Sequence, residues 1–304
     1  MSYAIYLIKN TQIHYDTMLL STLNYFLRLA REVGYFNFVY RYSLRRLYKL
    51  LKIDQKIRLM NNIEMILPWS SQFGTEVFLK KNKVDWGSEA ILLNFLEQDK
   101  SFLDVGANIG YYSLLAAPSS KEVYIFEPDP RVVENLKKNL TQFSNTFIIQ
   151  EALYSQSGVM KLNLSITPEV NSLVRTNSHD NSIEVKVNTL DNLMSEYPNL
   201  TVSCIKTDAE GADFEILRGG KNLILRDQPL ILSEAYPEKQ LLKFIESVNF
   251  SCFAFVKSKD ISRSHLPPQF VKIESQPVNH KVKMIFLVPN RLLADFESLV
   301  KSEG

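Results

Sequence analysis

Cysteine is nearly missing from this 304-residue chain: only Cys204 and Cys252 occur, inside the apolar stretches TVSCIK and FSCFAF. So few exclude a disulfide-stapled scaffold or a cysteine-built zinc site, and predict two buried thiols in a reducing, cytoplasmic setting. Histidine is scarce as well. His14, His179, His265 and His280 stand apart without ligand-like spacing, so no metal and no catalytic histidine are assigned. An excess of one charge is also lacking: 35 Lys and Arg face 33 Asp and Glu, a net charge of +2, which argues against nucleic acid as the main partner. No run of about 18 uncharged apolar residues is present, so no transmembrane helix is expected. The opening MSYAIYLIKNTQIHYD has neither the basic start nor the clean apolar core of a secretory signal. Glycine numbers ten, and residues 15–58 contain Gly34 alone, so they read as helices interrupted near that position.

What is present is ordinary globular material, 45% hydrophobic and 22% charged, without repeats or low-complexity tracts. Three parts are expected: a helical N-terminal extension over 1–60, a β-hairpin and helix over 61–99, and a main domain over 100–304. In the extension, YRYSLRRLYKLLK interleaves Arg41, Arg45, Arg46, Lys49 and Lys52 with tyrosines and leucines. It reads either as a helix covering the core with solvated arginines or as a contact with an anionic lipid or partner surface. Residues 62–86 alternate apolar and polar with a turn near Trp69–Gly74, which predicts the hairpin; Ser88 is the expected N-cap of the helix that follows.

From residue 101 the strand candidates SFLDV, EVYIFE, TFIIQEAL, VSCIKTD, PLILSE and KVKMIFLVP alternate with the helical patterns YYSLLAA, PRVVENLKKNL, DFEILRGG and PEKQLLKFIESV. Continuous apolar strands between amphipathic helices predict an α/β fold with a mostly parallel sheet covered on both faces. NSIEVKV breaks the rhythm and reads as a half-exposed strand.

Two turns carry the chemistry. In SFLDVGANIGYY a strand runs into Asp104, Gly106, Asn108 and Gly110. Ligands of open parallel sheets collect at such strand ends. Gly106 and Gly110 would let backbone approach a ligand closely, Asp104 would face an ammonium or hydroxyl, and the following helix start suits a carboxylate. Tyr111 and Tyr112 could lean over the ligand, with one of the two expected in the core. Glu127 ends the next strand, 23 residues on, where a carboxylate can accept from both hydroxyls of a ribose. Pro128 follows it, and Asp129 reads as an N-cap. Backbone near Ala152 and Leu153, after the third strand, would meet an adenine edge. A ribonucleoside carrying an amino acid, S-adenosyl-L-methionine, fits this set. The alternative is a nicotinamide dinucleotide in an NAD(P)-dependent Rossmann oxidoreductase, but Asn108 breaks the G-x-G-x-x-G pattern and Asp104 has the wrong sign for a pyrophosphate.

The second turn, CIKTDAEGADFEILRGG, brings Lys206, Asp208 and Glu210 to a strand mouth, with Asp213 read as a helix N-cap and Gly219 and Gly220 as its stop. Glu234 ends the following strand.

Together, LDVGANIGYYS, FEPDP and IKTDAEGADFEILRGG resemble the FkbM-type family of S-adenosylmethionine-dependent methyltransferases. The family pattern I-K-I-D-x-E-G-x-E-x-x-x-L-R-G is matched at Ile205, Lys206, Asp208, Glu210, Gly211, Leu217, Arg218 and Gly219, and departs at Thr207 and Asp213. The likeness covers about residues 62–290 and leaves 1–60 unexplained. It implies a Rossmann-like class I methyltransferase fold of seven strands, the last antiparallel, and O-methylation of a hydroxyl on a carbohydrate or secondary metabolite. Asp208 is the candidate base or acceptor-orienting group, Glu210 and Glu234 complete a polar wall, and Lys206 tunes their charge. The acids could alternatively hold a divalent cation, and SRSHLPPQ could cover an acceptor. A non-catalytic nucleoside-binding module is the remaining alternative.

Overall fold

A computed structural model of the chain describes residues 26–165, 171–174, 181–260 and 266–303. His14, His179, His265 and the opening sixteen residues lie outside these. Helix α1 (26–33) and helix α2 (Tyr35–Leu51) are separated at Gly34, whose φ of +89° a side chain would resist. An antiparallel hairpin follows, Gln55–Arg58 (β1) with Glu64–Leu67 (β2). It lies earlier than expected, because Phe73–Lys80 form a helix (α3) rather than a second arm. A short alternating run does not distinguish a strand from a helix turn, and here Gly74, Val77 and Leu79 bury together. In the helix Ser88–Asn94 (α4), Gly87 occupies the cap at φ +99° and Ser88 is the buried first residue. Glu89 reaches back instead, accepting from the Asp85 N–H at 2.9 Å.

The remaining elements alternate: Ser101–Val105 (β3), Tyr111–Ala116 (α5), Val123–Phe126 (β4), Pro130–Leu140 (α6) and Thr146–Ile149 (β5). Three strands then leave the rhythm, Ala152–Leu153 (β6), Gly158–Asn163 (β7) and Ser182–Asn188 (β8). After a short helix, Leu193–Glu196 (α7), come Val202–Thr207 (β9), Asp213–Arg218 (α8), Lys221–Asp227 (α9), Leu230–Ser233 (β10), Lys239–Ser247 (α10) and Phe250–Ser258 (β11). Gln269–Lys272 (β12), His280–Pro289 (β13) and Leu293–Glu303 (α11) close the chain.

The main sheet runs β12-β11-β13-β10-β9-β3-β4-β5. Its β10-β9-β3-β4-β5 half is parallel, and β13 inserts antiparallel between β10 and β11. The implied seven-stranded sheet with an antiparallel last strand is therefore present, with one strand added at the edge, β12. TFIIQEAL divides in two: β5 stays in the main sheet, while β6 joins β8 and β7 in a separate three-stranded sheet. There Val185 and Val187 are buried and Glu184 and Lys186 exposed, as the alternation of IEVKV predicts.

β3 is buried along its whole length because helices cover both faces. Phe102 joins Ile91, Leu114 and Leu136 on one side, and Leu103 and Val105 join Ile216, Leu223 and Ile245 on the other. Cys204 and Cys252 are buried free thiols.

Candidate active site

Parallel register places one residue beyond the end of each central strand in a single row. Val105 pairs with both Phe126 and Thr207, and Thr207 with Ser233, so the next residues, Gly106, Glu127, Asp208 and Glu234, form that row. All four line a cavity of about 610 Å³ that extends from Ala152 and Leu153 to the N-terminal helix α2.

At the β4 end, Glu127 is 8% exposed. Its Oε2 accepts from the Asn108 N–H at 2.9 Å and its Oε1 from the Asp129 N–H at 3.0 Å. These bonds aim the carboxylate and leave lone pairs for further donors. Burial pushes its pKa up to about 7 against the lowering effect of the two N–H groups. Asn108 makes its bond from a left-handed conformation, φ +52°. Asp129 caps α6 as expected, accepting from the Arg131 N–H at 2.9 Å and pairing with the Arg131 guanidinium. Pro128, Ala152 and Leu153 line the wall beside Glu127.

The first turn differs in part from expectation. Asp104 is fully buried and does not line the cavity: its Oδ2 accepts from the Ser113 hydroxyl, and Lys206 Nζ lies 3.8 Å from its Oδ1. As β3 alternates, its side chain falls on the face shared with Phe102, and its Oδ1 has no hydrogen-bond partner among the described residues. Gly106 lines the cavity and is also required by chain packing, whereas Gly110 does not line it and packs against α6. A Cβ at 106 would lie 2.0 Å from the Asp208 carbonyl oxygen, and one at 110 would lie 2.7 Å from Leu136 Cδ1. Tyr111 and Tyr112 are both buried, 1% and 4% exposed, where one was expected in the core, and both also line the cavity. Their hydroxyls donate to carboxylates, Tyr111 to Glu89 at 3.2 Å and Tyr112 to Asp85 at 2.6 Å.

At the β9 end, Lys206 is 4% exposed and holds the turn together. Its Nζ donates to the Gly106 carbonyl at 3.2 Å and sits 3.4 Å from Asp208 Oδ2. Burial opposes its charge, but the carboxylates of Asp208 and Asp104 outweigh that and keep it protonated. For Asp208, burial would raise the pKa, yet the Lys206 ammonium and a hydrogen bond with Glu234 hold it below the usual range. Glu234 is displaced the other way: its depth in the cleft and then the Asp208 carboxylate push its pKa well up. Two acids with opposite displacements share one proton at neutral pH, Glu234 donating and Asp208 accepting. Glu210 lines the same wall from a left-handed backbone, φ +48°, and its carbonyl accepts from the Ser172 hydroxyl at 2.8 Å. Asp213 is not the cap of α8: Ala212 holds that place, and Asp213 Oδ1 accepts from the Ala209 N–H at 3.3 Å. Gly219 ends α8 as expected, and α9 starts two residues later. Among the described residues, no group of three or more His, Cys, Asp or Glu is placed to hold a metal ion.

Sequence reasoning missed the far end of the cavity. Tyr42, Arg45, Arg46 and Lys49 of α2 line it, as do Glu76, Asp85 and Lys283. Lys283 reaches Asp85 Oδ1 at 2.7 Å and Glu76 Oε1 at 3.3 Å. A polar residue alternating into KVKMIF was the available signal for Lys283. For α2, the stripe Tyr42, Arg45, Arg46, Lys49 at helical spacing marked a second functional face.

The sequence profile of the Methyltransferase FkbM domain matches residues 104–257, half of the chain, and the chain belongs to this family. It is similar to the hexuronic acid methyltransferase AglP of Haloferax volcanii, 27% identical over 135 residues, covering 44% of this chain and 55% of that protein. Among solved structures it is similar to methyltransferase FkbM of Methylobacillus flagellatus KT, with 14% identity, a TM-score of 0.41, and coverage of 71% of this chain and 54% of that one. It is also similar to the SAM-dependent methyltransferase of Agrobacterium tumefaciens, with 10% identity, a TM-score of 0.44, and coverage of 78% and 70%. The chain thus spans about half the length of AglP and of the Methylobacillus protein.

Proposed function

We propose that this member of the FkbM methyltransferase family transfers a methyl group from S-adenosyl-L-methionine to a hydroxyl of a carbohydrate. One observation carries the reading: a single cavity holds the Glu127 carboxylate at one strand end and Asp208 and Glu234 two and three strands away. The residues fit the donor. Glu127 is a buried acceptor with lone pairs left for a diol, beside the mostly apolar wall of Pro128, Ala152 and Leu153. The donor supplies an already activated methyl group, so the protein's work is alignment and proton removal.

Asp208 does the second part. Kept anionic by Lys206, it accepts a hydrogen bond from the acceptor hydroxyl and takes the proton as the oxygen becomes bonded to carbon. Glu234 is already protonated, so it orients Asp208 and does not compete for that proton. Lys206 also fixes the Gly106 carbonyl, which ties the two turns to one geometry. The polar far end, with Arg46, Lys49 and Gln72, suits a hydroxyl-rich acceptor. The likeness to a hexuronic acid methyltransferase supports a sugar as that acceptor.

Calorimetric titration with S-adenosylmethionine and, separately, with a nicotinamide dinucleotide tests the donor. Incubation of labelled donor with uronic-acid-containing and neutral glycans tests the acceptor. Binding of the dinucleotide alone overturns the reading.

A further inference from the structure

Helix α2 has two unlike faces. Tyr42, Arg45, Arg46 and Lys49 turn toward the cleft, and Arg45 anchors the helix. Its guanidinium is fully buried and donates to the carbonyls of Leu67 (3.3 Å), Pro68 (2.6 Å) and Ser71 (3.4 Å), and to Gln55 and Thr75. Arg41 adds a bond to the Leu79 carbonyl at 2.6 Å. The helix is therefore held in one orientation.

The opposite face is apolar and open. Phe36, Tyr40, Leu47, Leu50 and Leu51 recur at helical spacing, and Phe36 and Leu50 are 85% and 80% exposed. Val39 and Ile53 extend the patch, and Trp69 stands near the helix end with Lys52 Nζ 5.8 Å from its ring. Isolated exposed hydrophobes need no explanation, but a continuous stripe of this size does.

Charge identifies the occupant. Between Glu32 and Asp54 there is no acidic residue, and of the five cations in that span Arg46 and Lys52 are exposed, while Arg45 is buried and Arg41 is bonded to the Leu79 carbonyl. A basic, acid-free helix with an exposed aromatic and leucine face matches the surface of an anionic bilayer. There the apolar stripe enters the headgroup boundary, the exposed Arg46 and Lys52 reach lipid phosphates, and tyrosine and tryptophan sit at the interface. We propose that α2 docks the protein on anionic lipid through Phe36, Tyr40, Leu47, Leu50 and Leu51. The cleft-lining face of the same helix then lies one helix diameter, roughly 10 Å, from the membrane surface. The inference concerns a face outside the cleft and does not depend on the methyl-transfer reading.

Co-sedimentation of the full chain with phosphatidylcholine vesicles, with and without phosphatidylglycerol, tests it. The expected result is binding to the anionic vesicles, reduced by salt and weak on neutral ones. The triple variant Phe36→Ser/Leu47→Ser/Leu50→Ser should lose about tenfold or more in partitioning, with unchanged thermal unfolding and donor binding. Absence of the full chain from the anionic pellet overturns the proposal, and so does equal partitioning of the variant. Light scattering covers the other occupant: a dimer that the triple variant splits, with no lipid binding, assigns the face to a second copy and overturns it as well.

Discussion

Asp208 and Gly106 are locked together by their backbones: a Cβ at position 106 would lie 2.0 Å from the Asp208 carbonyl oxygen, with φ at +72°. The two turns that carry the family pattern are thus one packed unit, bridged again by Lys206. Gly106→Ala should destabilise the fold by about 2–5 kcal/mol, since backbone cannot yield as a flexible side chain would. Urea unfolding measures this; a change below about 1 kcal/mol would contradict the contact.

Glu127 is expected to dominate donor affinity. Glu127→Ala should weaken S-adenosylmethionine binding by about tenfold to a hundredfold, each charge-assisted bond being worth about 1.5–3 kcal/mol. The Asn108 and Asp129 N–H groups lose their acceptor in this variant, so a stability loss of about 1–3 kcal/mol accompanies it. Calorimetry and thermal unfolding separate the two effects.

The same carboxyl predicts a pH dependence. Its pKa is raised from 4.5 to about 7, so the folded state binds this proton more tightly than the unfolded state. Its contribution to stability is complete below the unfolded value and is lost as pH rises through about 7. Donor affinity moves oppositely, rising over that range as the carboxylate forms. Glu127→Gln should flatten both profiles; affinity independent of pH in the native chain would remove Glu127 from the donor site.

Asp208 and Glu234 should respond differently to amide substitution. Asp208→Asn removes the proton acceptor and should slow turnover about 10²- to 10⁴-fold, with donor affinity held within about threefold. Glu234→Gln replaces a protonated acid by a neutral isostere and should cost turnover far less at pH 7. Equal losses would show that the proton is not placed as described.

Arg45 is a structural prediction. Burial lowers its pKa to about 10, and its donors go to neutral acceptors. Arg45→Met fills similar volume but strands those acceptors, so a loss of about 3 kcal/mol is expected. Chemical denaturation measures it.

Much of this was legible in the residues. The acids that follow EVYIF, CIKT and LILS pointed to strand mouths, and the strand–helix alternation required them on one edge of a parallel sheet. The hairpin was misplaced because a short alternating run fits either periodicity, and α2's role in the cleft was hidden because residues 42–49 meet residues 72–76 only through folding.

The sequence by itself determined that apolar strands would end in Gly106, Glu127, Asp208 and Glu234, because local patterning dictates where a strand stops. Only the tertiary structure decided which carboxylates meet the cavity. Asp104 lies two residues before Gly106, yet its position in β3 turns it into the core, where Ser113 and Lys206 enclose it. Glu127, one residue past its strand, stays open to a ligand. The difference rests on register and helix cover, which arise from contacts between residues far apart in the chain.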